Sequence, residues 1–209
     1  MGNRIQNKRE MENRARITLG LILEYDISCL VCKDMPDLQD DVHSVGIEVV
    51  EDCYEDERER ERCFSGYYGK AIAEIPEDKI SRFESNGAKL HTEKGVITRA
   101  SLGPIRNNDP SHLIETIRKK LVKLNQGHYA QFNRYDLYIF DDTVSLYPSY
   151  LETIMDAVGS IEAKKKFSVL YIDGFYKMAV CNLTDGSRKI VSISEEMRQR
   201  ISDRVQEDG

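Results

Sequence analysis

Long apolar runs are missing from this chain of 209 residues. A membrane-spanning helix needs a run of about 18 or more apolar residues. The longest stretch here, Ile17–Leu23, is shorter and is broken by Thr18 and Gly20. Residues Met1–Arg16 carry charges of both signs and lack the apolar centre of a secretion signal. A cytoplasmic location with no membrane partner is therefore expected. A disulfide framework is missing as well. The five cysteines (Cys29, Cys32, Cys53, Cys63 and Cys181) are odd in number, and no secretion signal accompanies them. Cys29-x-x-Cys32 has no second such pair and no paired histidines to complete a zinc set. It lies in Ile27–Lys33, which reads as a strand, where residues three apart point to opposite faces. Buried, reduced thiols are expected there. His43, His91, His112 and His128 are dispersed. No phosphate-cradling Gly-x-x-x-x-Gly-Lys-Ser/Thr loop occurs, and no Gly-x-Ser-x-Gly elbow. An excess of positive charge is absent too. The net charge is −6, so any contact with nucleic acid must come from a local basic patch.

What is present is an ordinary globular composition, 40% apolar and 32% charged. Without repeats or low-complexity linkers, one domain over residues 1–209 is expected. Helical spacing is read over Ile5–Tyr25, Glu55–Ala73, a short helix from Pro76, Ser111–Leu124, Ser149–Ala163 and from Ser194 onward. Strands are read at Ile27–Lys33, Gly46–Cys53, Tyr135–Phe140, Phe167–Ile172, Lys177–Asn182 and Arg188–Ile193. A hairpin is read around Lys94-Gly95. The order implies an α/β or α+β fold with a mixed central sheet. The run Glu55–Arg62 alternates acidic and basic residues and reads as a solvated helix face.

Two carboxylates stand out. Asp37 precedes the short run Leu38-Gln39-Asp40, and Glu48 lies inside the apolar run Gly46-Ile47-Glu48-Val49-Val50. A hairpin would bring them together, and paired carboxylates can hold a hard divalent cation. A carboxylate within an apolar strand needs a partner. On the helix after Ser111, Leu113, Ile117, Leu121 and Leu124 form one stripe at about 100° per residue. Lys120 falls at its margin, placed to reach the carboxylates, with Lys123 one turn on as a second candidate. Arg118, Lys119, Lys123, Arg134 and Lys164–Lys166 are candidates for a phosphate-tracking surface, although ordinary solvated cations are the preferred reading. His43, in the turn between the carboxylates, is preferred as a simply exposed residue.

Pro36-Asp37 followed by Glu48-Val49-Val50 resembles the PD-(D/E)XK nuclease superfamily. That pattern is Pro-Asp, a variable spacer, then an acidic residue, any residue and lysine, on neighbouring strands behind an N-terminal helix. The resemblance covers the first half of the chain and extends to the rest only in outline. It implies a restriction-endonuclease-like mixed sheet flanked by helices. It also implies hydrolysis of phosphodiester bonds in nucleic acid, with DNA the expected substrate. Asp37 and Glu48 would bind Mg²⁺ or Mn²⁺ with the backbone carbonyl of Val49, and a homodimer is an expected assembly. The chain departs from the pattern at Val50, where the family carries lysine. In divergent members a neighbouring helix supplies that lysine, and Lys120 is the residue placed to do so. The glutamate often found on the first helix would be Glu12 or Glu24. Alternatives are a degenerate site in a partner-binding or regulatory module, and a toxin–antitoxin-like component that meets its partner through Glu55–Arg62.

Overall fold

Side-chain alternation along the strands fixes the layers of the larger unit. In β6 (Arg134–Phe140), Leu137 and Ile139 turn to one apolar layer and Tyr138 to the other. The first layer is covered by α3 (Ser111–Asn125) and α4 (Pro148–Gly159), through Leu113, Ile117, Leu121, Leu151 and Ile154. The second is covered by α1 (Lys8–Leu23) and α5 (Glu195–Glu207), through Ala15, Leu19 and Ile201. Between them lies a seven-stranded sheet. Its other strands are β1 (Leu30–Cys32), β2 (Leu38–Asp40), β3 (Val45–Glu51), β7 (Val169–Asp173), β8 (Lys177–Asn182) and β9 (Arg188–Ser192). The strand order is β1-β2-β3-β6-β7-β8-β9. Strands β1, β2 and β3 form an antiparallel meander, β3, β6 and β7 run parallel, and β8 and β9 return antiparallel. The protein is thus α/β, with a mixed sheet flanked by helices on both faces.

This computed structural model describes residues 8–52, 63–84, 88–101, 109–141 and 146–208. Two compact units occur where one domain was expected. One comprises Met1–Asp52 with Asn108–Gly209, and the other is Cys53–Asn107, inserted between β3 and α3. In the second unit, α2 (Glu77–Glu84) and the hairpin of β4 (Lys89–Glu93) and β5 (Val96–Ser101) share a small core of Ile75, Phe83, Leu90 and Ile97. Lys94 and Gly95 both take positive φ, 51° and 79°, as a tight two-residue hairpin turn requires. The charged run Glu55–Arg62, the loop Gly103–Asn108, Asn86-Gly87 and Asp142 lie outside the described residues. No helix among those described is long and apolar enough to cross a membrane.

Several expected boundaries move, each for a local reason. The helix expected to run on to Ala73 stops after residue 67, and the chain turns at Gly69 with φ 79°. The helix expected to reach Ala163 ends at Gly159. Strand β1 begins at Leu30 rather than Ile27, because Asp26 accepts hydrogen bonds from the Ser28 N–H and hydroxyl at 3.0 and 2.6 Å. That side chain closes a local turn in competition with the sheet. Cys29 accordingly sits in a turn and is half-buried, and Cys32 is exposed. The expectation of buried thiols at this pair is corrected. Cys181 is the buried one, and desolvation raises its pKa to about 11.

Candidate metal-binding carboxylate site

The β2–β3 register builds the site. Leu38 pairs with Ile47, so the next step places Asp37 opposite Glu48, and directly opposed positions on antiparallel strands lie about 5 Å apart. Gly46 permits this approach, because a Cβ there would stand 2.5 Å from the Pro36 ring and 2.9 Å from Phe132. The Asp37 carboxylate is buried. Its Oδ2 accepts the Val49 N–H at 2.8 Å, and its Oδ1 lies 2.9 Å from Lys8 Nζ. The Val49 side chain packs into the α1 layer.

Glu48 is buried as well, on the opposite face of β3 from Ile47 and Val49. Lys120 Nζ donates to its Oε1 at 2.7 Å. Burial of the Leu113, Ile117, Leu121 and Leu124 stripe turns α3 so that Lys120 lies at its edge. Glu48 Oε2 is buried, and the buried Tyr129 hydroxyl faces the Glu48 carboxylate as a hydrogen-bond donor. Burial and the Glu48 charge push the Tyr129 pKa far above the ordinary phenol range, so it stays a neutral donor.

Lys8 Nζ also contacts Asp34 Oδ1 at 2.9 Å and Glu12 Oε1 at 3.4 Å. Hydrogen bonds to Asp34 and Asp37 raise its pKa and keep it cationic. Burial, then the Asp37 charge, raises the pKa of Glu12. The Lys8 hydrogen bond, with the charges of Lys8 and Lys123, lowers that of the exposed Asp34. Asp34, Asp37, Glu12 and Glu48 therefore face two ammonium groups in contact, Lys8 and Lys120. Asp37, Glu48 and the Val49 carbonyl are oxygen donors of the kind a hard divalent cation takes, although among the described residues no three ligating side chains converge there.

The structure seats Lys120 on Glu48, and Lys8 between Asp37 and Glu12, while Glu24 is exposed beyond the end of α1. Lys123 is solvent-exposed and stands at the rim, near Asp34. Several of the cations weighed as a phosphate-tracking surface have partners within the chain. Arg118 pairs with Glu115 at 2.9 Å, Arg134 holds the buried Asp136, and Lys165 donates to the Tyr135 hydroxyl at 3.2 Å. His43 is exposed but bonded, its Nδ1 2.7 Å from Asp40 Oδ2. Sequence reasoning missed Lys8 and Tyr129. The Lys8-x-x-x-Glu12 spacing was the available signal for Lys8. Tyr129 follows Gly127-His128 in a connection with no pattern of its own.

No protein-family profile matches this chain, and no curated protein or solved structure matches it either.

Proposed function

We propose that the protein is a Mg²⁺- or Mn²⁺-dependent nuclease that hydrolyses phosphodiester bonds in DNA. The observation that carries this reading is the placement of buried Asp37, immediately before β2, in register opposite buried Glu48 on β3, with Lys120 of α3 on one Glu48 oxygen. The α1–β1–β2–β3 meander, followed by a helix and a parallel β6, supports the likeness to restriction-endonuclease-like folds. Asp37, Glu48 and the Val49 carbonyl would hold the ion, which supplies Lewis-acid activation of water and neutralises phosphate charge.

The chain's own groups have separable roles. The Val49 N–H fixes the Asp37 carboxylate, leaving Oδ1 to face Lys8. Lys120 spends one N–H on Glu48, and its other two are free to orient the attacking water or a non-bridging phosphate oxygen. It thereby takes the role that Val50 cannot. Tyr129, kept protonated, limits the freedom of Glu48. Lys123 at the rim would meet the phosphate backbone.

The second reading is a degenerate nuclease fold that binds a partner. Lys8 favours it, since its ammonium already lies against Asp37, Glu12 and Asp34. One experiment separates the two. Single- and double-stranded DNA and RNA are incubated with wild type, Asp37→Ala, Glu48→Ala and Lys120→Ala, in Mg²⁺, Mn²⁺ or EDTA. Metal-dependent cleavage lost in all three variants supports the nuclease. No cleavage on any substrate, together with no Mn²⁺ binding by calorimetry, supports the partner-binding module.

A further inference from the structure

We propose a second metal site at the other end of β2, in which Cys29, Asp40 and His43, with Asp26 as a fourth ligand, take a zinc ion. The ligand atoms of Cys29, Asp40 and His43 all lie within 4.8 Å of one another. Cys29 Sγ is 3.6 Å from Asp26 Oδ2, and His43 Nδ1 is 2.7 Å from Asp40 Oδ2. Zinc bonds of about 2.0–2.3 Å place tetrahedral ligands roughly 3.5 Å apart, so small side-chain adjustments bring Cys29, Asp40 and His43 onto one ion, with Asp26 adjoining through Cys29. Asp26 and Cys29 come from the turn before β1, Asp40 from the end of β2 and His43 from the turn that follows, and the Leu30–Asp40 pairing holds these segments side by side.

The donor chemistry sets this site apart from the Asp37–Glu48 pair. One thiolate, one imidazole and carboxylates select a borderline-soft ion such as Zn²⁺ over Mg²⁺. Asp40 is fully buried, and its oriented oxygens accept the Tyr25 hydroxyl and the His43 N–H, each at 2.9 Å. Such outer hydrogen bonds are what hold a ligating carboxylate in place. Its one ion-pair contact among the described residues is His43. A Cys-His-Asp nucleophile is the competing use of these groups. It fits poorly, because Cys29 Sγ donates to Asp26 Oδ2 at 3.6 Å and lies 4.0 Å from Ser28 Oγ, rather than being hydrogen-bonded to the His43 ring. Zinc here would staple two three-residue strands, β1 and β2, and so stiffen the segment that carries Asp37.

The test is a Co²⁺ titration of the metal-free full chain, followed by displacement with Zn²⁺. Expected is one equivalent of Co²⁺ with tetrahedral d–d bands and thiolate-to-cobalt charge transfer, abolished by Zn²⁺. The charge-transfer band should vanish in Cys29→Ser, weaken strongly in His43→Ala and Asp40→Asn, and persist in Cys32→Ser and Asp37→Asn. Circular dichroism of Cys29→Ser checks that the variant is folded. A band that survives in folded Cys29→Ser, or no charge-transfer band in wild type, overturns the zinc site. Because Asp37→Asn removes a ligand of the proposed nuclease ion but not of this one, failure of either site leaves the other separately readable.

Discussion

Replacing Lys120 with methionine keeps the stem that packs at the edge of the α3 stripe and removes only the ammonium. Glu48 is then left as a buried carboxylate without a counter-charge. Removing one partner of a fully buried pair costs about 3–5 kcal/mol. The side chains of Lys120 and Glu48 are 19% and 5% exposed, so water reaches the pair from the lysine side and the expected cost falls to about 2–3 kcal/mol. Glu48→Gln should cost less, about 1 kcal/mol, because Lys120 can then swing its head into solvent. The double variant should cost about 1 kcal/mol as well, giving a coupling energy of about 2–3 kcal/mol, within the range for residues in direct contact. Urea unfolding of the four proteins, followed by far-ultraviolet circular dichroism in EDTA with a common m value, measures it. Raising the salt concentration should change the coupling little, since a buried pair is weakly screened. Adding Mn²⁺ should restore more stability to Lys120→Met than to wild type, the ion taking over the lost charge. A coupling below about 0.5 kcal/mol would refute the assignment of Lys120 as the partner of Glu48.

Glu12→Gln should raise the urea midpoint of the metal-free protein at pH 7. A carboxyl whose pKa is raised on folding favours the fold below its ordinary value of 4.5 and loses that contribution as pH climbs through the folded value; a midpoint unchanged between pH 4 and 8 would contradict this. Asp37→Asn can keep an acceptor for the Val49 N–H, so calorimetry should show loss of Mn²⁺ binding with a smaller fall in stability than in Asp37→Ala. Gly46→Ala should destabilise by about 1–3 kcal/mol through overpacking against Pro36 and Phe132, with Mn²⁺ affinity falling as Asp37 is displaced. Arg134→Met should cost about 2–3 kcal/mol in urea unfolding, since Asp136 is fully buried but keeps the Tyr171 hydroxyl and the Val169 N–H.

The opposed carboxylates were legible because two signals are short-range: a turn after Pro36, and an acidic residue breaking an apolar strand pattern. Lys120 was legible through geometry alone, since the angular position of one lysine on an apolar helix follows from the helical repeat. Tyr129 was not, because Glu48 lies far along the chain and the contact depends on how the connection after α3 meets the sheet; Lys8 had only its spacing to Glu12 as a signal, its contacts with Asp34 and Asp37 depending on how α1 meets the sheet. The start of β1 was misplaced for another reason. Ile27 suits a strand, but the Asp26 side chain captures the next amides first. The fold class survived such errors because the alternation in β3, β6 and β7 sets both apolar layers whatever the strand ends do. The inserted unit left no mark on composition, so periodicity showed its elements and not its boundary.

The Asp52 carboxylate has a consequence for how this protein could diversify. The chain leaves the larger unit at Asp52 and returns at Asn108, yet Asp52 Oδ1 meets His112 Nδ1 at 2.8 Å and Thr116 Oγ1 at 2.6 Å. Exit and re-entry are fastened to each other inside the larger unit. Glu48 and Lys120, 72 positions apart, consequently meet across a junction that is closed from within. Loop-closure entropy grows only slowly with length, by about 0.6 kcal/mol per doubling. The insertion thus begins and ends at neighbouring points of the larger unit. Its contents can be lengthened, shortened or exchanged at little thermodynamic expense, while the carboxylates and lysine of the site keep their places.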